Sequence, residues 1–102
     1  MNEKINLNKE ELKNKVEIGK LVNGTDVTVL INNNEITFTG DNEYTTEFDS
    51  KNLSIYMKLD NLVNALSVLN KDEILLSHLG DKKPIMFYED NKTILVLPIR
   101  KL

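Results

Sequence analysis

The side chains able to do chemistry are few in this sequence, and they are scattered. The single histidine, His78, stands in the run Leu75-Leu76-Ser77-His78-Leu79, and there is no cysteine anywhere to join it in a metal site or a nucleophile–base pair. It reads as a partly exposed strand histidine. Acids are plentiful, but Asp41, Glu43, Glu47 and Asp49, and Glu89 with Asp90, fall in turns and on solvent faces. A general-acid carboxyl needs a desolvating neighbour to raise its pKa, and none is evident there. Ser50, Ser54, Ser67 and Ser77 have no histidine at a recognisable spacing. Gly24, Gly40 and Gly80 are isolated turn residues, outside any phosphate-cradling loop. The inventory describes a surface that holds or slides. No catalytic residue, metal or cofactor is expected.

Electrostatic and apolar surfaces remain. The net charge of −3 argues against coating DNA through the whole surface, so the placement of the lysines matters more than their number. At about 100° per residue, Lys9, Lys13 and Lys20 cluster on the side of a first helix opposite Leu12. Glu10 and Glu17 sit beside them and dilute the field. Lys71 lies near the end of a second helix whose polar side is otherwise nearly neutral. The plain alternative for the three lysines of the first helix is a solvated helix face.

The elements that position these residues follow from periodicity and turn chemistry. Glu3 to Leu7 reads as a short strand. Asn8 is a suitable N-cap, with Glu10 and Glu11 where the helix dipole favours acids. A helix is expected over Lys9 to Val22, carrying Leu12, Val16, Ile18, Gly19 and Val22 on one broad side, with Lys15 intruding. Asn23-Gly24 ends it. Strands follow at Asp26–Asn32, Glu35–Thr39 and Tyr44–Phe48, with an asparagine turn at Asn32-Asn33-Asn34. Leu53–Lys58 opens a second half, whose helix runs from about Asp60 to Leu69 on a stripe of Leu59, Leu62, Val63, Leu66 and Leu69. Strands at Asp72–Leu79, Pro84–Tyr88 and Lys92–Arg100 complete it, the last two joined by a hairpin turn at Glu89-Asp90-Asn91.

The chain is thus written twice, as strand, helix and three strands, over about residues 3–49 and again over 52–100. Ile5-Asn6-Leu7 answers Ile55-Tyr56-Met57, and Leu12 answers Leu62. Val27, Val29 and Ile31 are answered by Ile74 and Leu76, and Glu35 to Phe38 by Pro84 to Phe87. At 102 residues the chain is read as one domain around one core. The expected class is α+β, with two helices packed on antiparallel sheet. No apolar run approaches the roughly 20 residues of a membrane span. Met1-Asn2-Glu3-Lys4 lacks the apolar stretch of a signal peptide. A cytoplasmic protein with no membrane partner is expected.

Two halves of this plan, together with the ending Ile94-Leu95-Val96-Leu97-Pro98-Ile99-Arg100, resemble one domain of a DNA sliding clamp. The ending is similar to the terminal apolar-Pro-apolar-Arg motif of the bacterial clamp, the beta subunit of DNA polymerase III. Asn52 to Met57 followed by Leu62-Val63-Asn64-Ala65-Leu66 resembles that family's strand leading into its helix. Asp72 to Leu76 and Lys83-Pro84-Ile85 fall where its next two strands stand, and the N-terminal part matches more loosely but in register. The resemblance covers essentially the whole chain and is to the clamp's third domain.

The resemblance implies a DNA-clamp-like fold and a part in DNA replication as a processivity or partner-docking domain. In that family three such domains make a subunit, two subunits close a ring, and helices face non-specifically bound double-stranded DNA. Here Lys9, Lys13, Lys20 and Lys71 would be the DNA-facing candidates. A second site in the family captures short peptides of polymerases and other replication proteins. By position, Leu95, Leu97, Pro98, Ile99 and Arg100 match it, the plain alternative for Leu95 and Leu97 being core packing of a last strand. Lys101 intrudes between Arg100 and the terminal leucine, and the second domain that completes the pocket lies outside this chain.

Three functional readings stand. The first is a clamp-like protein that self-assembles into a ring or serves as a clamp subunit. The second is a phage or mobile-element module that imitates or inhibits the clamp, favoured by the near-neutral second helix, with the short chain beginning at Met1 read as an independent product. The third is a small α+β binding domain unrelated to replication.

Overall fold

The computed structural model describes residues 4–78 and 83–99. Along the chain it has β1 (Lys4–Asn8), α1 (Lys9–Gly19), β2 (Thr28–Asn32), β3 (Glu35–Thr39), β4 (Glu43–Glu47), β5 (Ile55–Lys58), α2 (Leu59–Val68), β6 (Glu73–His78), β7 (Ile85–Glu89) and β8 (Lys92–Val96). The order is the repeated one expected from the sequence. Two antiparallel four-stranded sheets form, with strand orders β1-β6-β7-β8 and β4-β3-β2-β5.

The halves exchange their first strands. β1 leaves its own half to pair with β6, setting Leu7 opposite Ile74. β5 likewise pairs with β2, setting Met57 opposite Val29. The helix starts repeat the symmetry: the Lys9 N–H donates to the Asp72 carbonyl and the Leu59 N–H to the Val27 carbonyl, each at 2.9 Å. Both first-turn donors, which a helix leaves unpaired, are thereby satisfied from the other half. One continuous core joins the halves, with Leu12, Val16, Leu62 and Leu66 of the helices over Val29, Ile31, Ile36, Ile74, Leu76 and Phe87 of the sheets. Neither half could bury its apolar face alone.

Local chemistry explains the ends of the elements. The Asn8 side chain accepts from the Glu11 N–H at 2.8 Å, the expected N-cap. Asn33 and Asn34 take φ of 50° and 60°, the two-residue turn whose twist suits a β-hairpin. α1 stops three residues before the expected Val22. The Leu21 and Val22 N–H groups bond to the Ile18 and Gly19 carbonyls, a tightened three-residue pattern. Gly19 is a poor helix former, and its missing side chain leaves room for the Phe38 ring. Gly24, at φ 133°, then turns the chain toward β2.

β8 ends at Val96, earlier than the expected Arg100. Pro98 has no N–H to give a ladder, and the chain leaves the sheet before it. Lys15, which intruded on the apolar side of α1, lies half-buried and reaches Thr46 of β4 at 3.3 Å.

Exchange of β1 and β5 also corrects the alignment of the halves. Ile31 pairs with Ile36, and its counterpart Leu76 pairs with Phe87. Ile36 therefore corresponds to Phe87 and not to Ile85. Phe38, opposite Val29, corresponds to Glu89, which the same register carried one pair further sets opposite Ile74. The two-residue slip arises because the β6–β7 connection, residues 79–84, is longer than the Asn33-Asn34 turn.

Candidate functional site

Two surfaces gather the expected binding residues. The first is the groove between α1 and α2. Lys9, Lys13 and Lys20 line it from α1 and its cap, and Val63, Leu66 and Ser67 line it from α2. The sequence placed these lysines away from Leu12 on an open helix face, whereas the structure turns them toward the second helix. The Lys9 ammonium donates to the Leu69 carbonyl at the end of α2. Lys20 pairs with Glu17 at 3.0 Å, both exposed, an arrangement that contributes little to stability. Among the described residues Lys13 makes no ion pair. Lys71 does not join them: its ammonium lies 2.7 Å from Asp90 in the β7–β8 turn. The Asp90 carboxylate raises the Lys71 pKa, and Lys71 in turn lowers that of Asp90.

The second surface lies where α2 meets the end of β8. Leu95 is 63% exposed, Leu97 73% and Val68 46%. With Ala65, Ile94 and Asn64 they line a shallow groove of about 470 Å³. The strand alternation explains this, because Ile94 and Val96 face inward and leave Leu95 outside. Core packing is therefore excluded for Leu95 and Leu97. Large aliphatic side chains thus stand in water alongside one another as an exposed apolar patch.

The other candidates separate from them. Past Leu97 the chain crosses to the free edge of β5, where the Ile99 N–H donates to the Tyr56 carbonyl at 2.8 Å. Pro98 and Ile99 close a small cavity of about 50 Å³ with Leu30, Ser54, Tyr56 and His78. One run of sequence thus splits into an apolar groove wall and a strap. Arg100 lies outside the described residues. His78 is half-buried, as its sequence context suggests, and its Nε2 has no hydrogen-bond partner among the described residues.

Glu89 corrects the sequence reading, which placed it in a turn or on a solvent face. It is 6% exposed. Its carboxylate accepts from the Asn70 N–H at 2.8 Å and the Lys71 N–H at 3.0 Å, with the Lys92 ammonium 3.5 Å away. The Lys71 N–H bond, then that of Asn70 and the Lys92 charge, hold its pKa below the usual carboxylate range against the opposing effect of burial. Its work is structural: it satisfies the backbone where α2 runs into β6. Ser50 is a second buried polar residue the sequence did not mark. It accepts from the Asn34 N–H at 2.8 Å and donates its own N–H to the Asn34 side chain at 3.2 Å, tying the β2–β3 turn to the approach to β5.

The repeated unit, the pair of helices and the two sheets define the class: a DNA-clamp-like fold. The chain is similar to single domains of bacterial sliding clamps. It aligns with the beta chain of DNA polymerase III from Streptococcus pneumoniae at a TM-score of 0.72 and 18% identity, over 96% of this chain and 30% of that one. A putative DNA polymerase III beta subunit from Eubacterium rectale gives a TM-score of 0.70 at 21% identity, over 94% of this chain and 30% of that one. The Helicobacter pylori beta clamp bound to a DNA ligase peptide gives 0.69 at 17% identity, over 96% of this chain and 29% of that one. The chain spans about 30% of the length of the clamps it matches. No protein-family model matches the sequence, and no curated protein does. At these identities the likeness establishes the fold. Among the described residues no helix is long and apolar enough to cross a membrane.

Proposed function

We propose that this chain is a non-catalytic, clamp-like replication module that docks short apolar segments of replication proteins in the groove between α2 and the end of β8. One observation carries the reading. Leu95 and Leu97 stand exposed beside Val68, at the place where the C-terminal motif resembles the partner-binding strand of a clamp's third domain. Apolar partner side chains would gain by burying these leucines, at about 25 cal/mol per Å² removed from water. The groove's polar rim, Asn61 and Asn64, is neutral and can supply orienting hydrogen bonds without repelling either sign of charge.

The direct test is fluorescence anisotropy with a labelled DNA ligase peptide of the kind held by the Helicobacter pylori clamp. Binding that Leu97→Ala weakens about tenfold is expected, the size typical of truncating an anchoring contact. Because Leu97 is exposed, the variant should keep the melting temperature of the parent. Unchanged binding in Leu97→Ala, or none in the parent, removes the reading.

Self-assembly into a ring is the fuller form of the proposal. β4 and β8 are free edges of their sheets, with backbone groups available to a neighbour. Exposed Ile18, in the last turn of α1, and Leu21, just beyond it, offer apolar surface that such a contact would bury. Light scattering decides between this form and the other: a ring-sized mass supports self-assembly, and a monomer at high concentration excludes it. The second form, a module that imitates or blocks a full-length clamp, is favoured by the helix face. α2 contributes no lysine to that face, and two of the three α1 lysines are engaged within the chain. In that case a full-length clamp should co-purify with the monomer.

A further inference from the structure

The groove between the helices has a make-up that phosphate contact does not require. Lys9, Lys13, Val16, Glu17 and Lys20 recur at three- and four-residue spacing, so one wall runs the whole length of α1. That is about 16 Å at 1.5 Å per residue. Val63, Leu66 and Ser67 of α2 form the facing wall at the same helical spacing, and Asn70 lies just beyond the helix end. The space between them is about 300 Å³. Its charge is three ammonium groups against the one carboxylate of Glu17, and α2 adds none. Its apolar part, the floor, is the half-buried Val63, with Leu66 and Val16 almost wholly buried beside it.

Duplex DNA offers phosphates and sugars, and has nothing to place on an apolar floor. Ammonium groups that serve DNA reach outward, whereas that of Lys9 is drawn to the Leu69 carbonyl at one end of the groove. Its charge is not cancelled there, since a carbonyl is neutral. Two helical walls with ridges at three- and four-residue spacing accept a third helix of matching ridges. The ligand that satisfies floor, rim and length together is a helix about three turns long, apolar on one stripe and acidic on its flanks. We propose that the α1–α2 groove docks an acidic amphipathic helix of a partner protein. Apolar side chains would seat on Val63 and Leu66, and carboxylates would meet Lys13, Lys9 and Lys20. The groove is separate from the α2–β8 groove, and the proposal does not rest on the docking function of that site.

The experiment uses the full chain and a synthetic fluorescein-labelled helix of about 15 residues, with leucine at three- and four-residue spacing and glutamate on both flanks. A second peptide carries lysine in place of every glutamate. In about 150 mM salt, where the screening length is short, the acidic peptide should bind and the basic one should not. Lys13→Glu should weaken the acidic peptide about tenfold. Ser67→Trp, at an exposed position lining the groove, should abolish binding, while Leu97→Ala should leave it unchanged. Thermal melts of each variant confirm that it is folded, and Lys13→Glu suffices if Ser67→Trp is not. Equal binding of the two peptides, no binding of the acidic one, or indifference to Lys13→Glu overturns the proposal. So does a duplex of roughly 30 base pairs that binds through Lys13 while the acidic peptide does not, which would assign this face to DNA.

Discussion

Phe38→Ala is expected to lower the unfolding free energy by about 3–5 kcal/mol, and Gly19→Ala by about 1–2 kcal/mol. Phe38 is fully buried and packs under the last turn of α1. Removing its ring takes away the transfer energy and leaves a cavity that fixed strands cannot close. A domain of this size has only about 5–15 kcal/mol in total, so the loss is a large part of it.

For Gly19 two effects oppose each other. Alanine gains up to about 1 kcal/mol in helix propensity. Its Cβ, however, would stand 2.4 Å from the Phe38 Cδ1 and 2.5 Å from Cε1. Carbon atoms in contact prefer roughly 3.5–4.0 Å, so the buried ring must move by more than its surroundings allow. Overpacking therefore wins when Phe38 is present. Without the ring the clash is gone and the propensity gain survives, so Gly19→Ala in the Phe38→Ala background should be neutral or slightly stabilising. Chemical denaturation of the four proteins of this cycle measures the coupling. Additive losses would show that the ring does not rest on Gly19.

Phe38 and Gly19 also mark the limit of what the sequence could disclose. Helix and strand order was legible because periodicity changes from 3.6 to 2 at each boundary, and because Asn8 and Asn33-Asn34 are strong local signals. The fold class followed from the repetition of that order. The strand exchange was not legible. Ile5 and Leu7 alternate just as Ile55 and Met57 do, so either strand suits either sheet, and partner choice is a long-range property. Nor could exposure be read from Ile94-Leu95-Val96-Leu97, since an unbroken apolar run is also what a strand buried on both faces shows. Only the fold decides which face of β8 the core covers, and that face carries Ile94 and Val96 and leaves Leu95 outside. The three lysines of α1 and its cap were found as a group, but the bond of Lys9 to the end of α2 required knowing that the two helices share a groove.

Glu89 was missed for a related reason, and it makes the second large prediction. In sequence it stands beside Asp90-Asn91 and looks like a turn acid. In the fold it holds the place that Phe38 holds in the first half. There the aromatic ring fills space beneath Gly19. Here the carboxylate accepts the Asn70 and Lys71 N–H groups just beyond the end of α2. Glu89→Gln can keep one oxygen for the Asn70 and Lys71 N–H groups, which both bond to Oε2, but it removes the charge and sets an amide donor where Oε1 now faces the Asn70 N–H and the Lys92 ammonium. The variant should melt at a lower temperature than the parent at pH 7, and by more than Asp90→Asn, whose ion pair with Lys71 is exposed.

The pH dependence gives the sharper test. The folded-state pKa of Glu89 is depressed, so between that value and the unfolded value of about 4.3 the unfolded chain binds more protons. The stabilisation is thus fully present above about pH 4.3 and is lost as the pH falls through the folded pKa. The melting temperatures of parent and Glu89→Gln should therefore converge as the pH is lowered from 5 toward 2. Asp49 and Asp90 are shifted in the same direction by Lys51 and Lys71, but both pairs are exposed and fade in salt. Repeating the titration near 1 M salt, where screening acts over about 3 Å, should remove their part and leave most of the Glu89 contribution, which rests chiefly on partly buried backbone hydrogen bonds. Parallel curves for parent and variant across the whole range would mean that this carboxylate does not hold the end of α2.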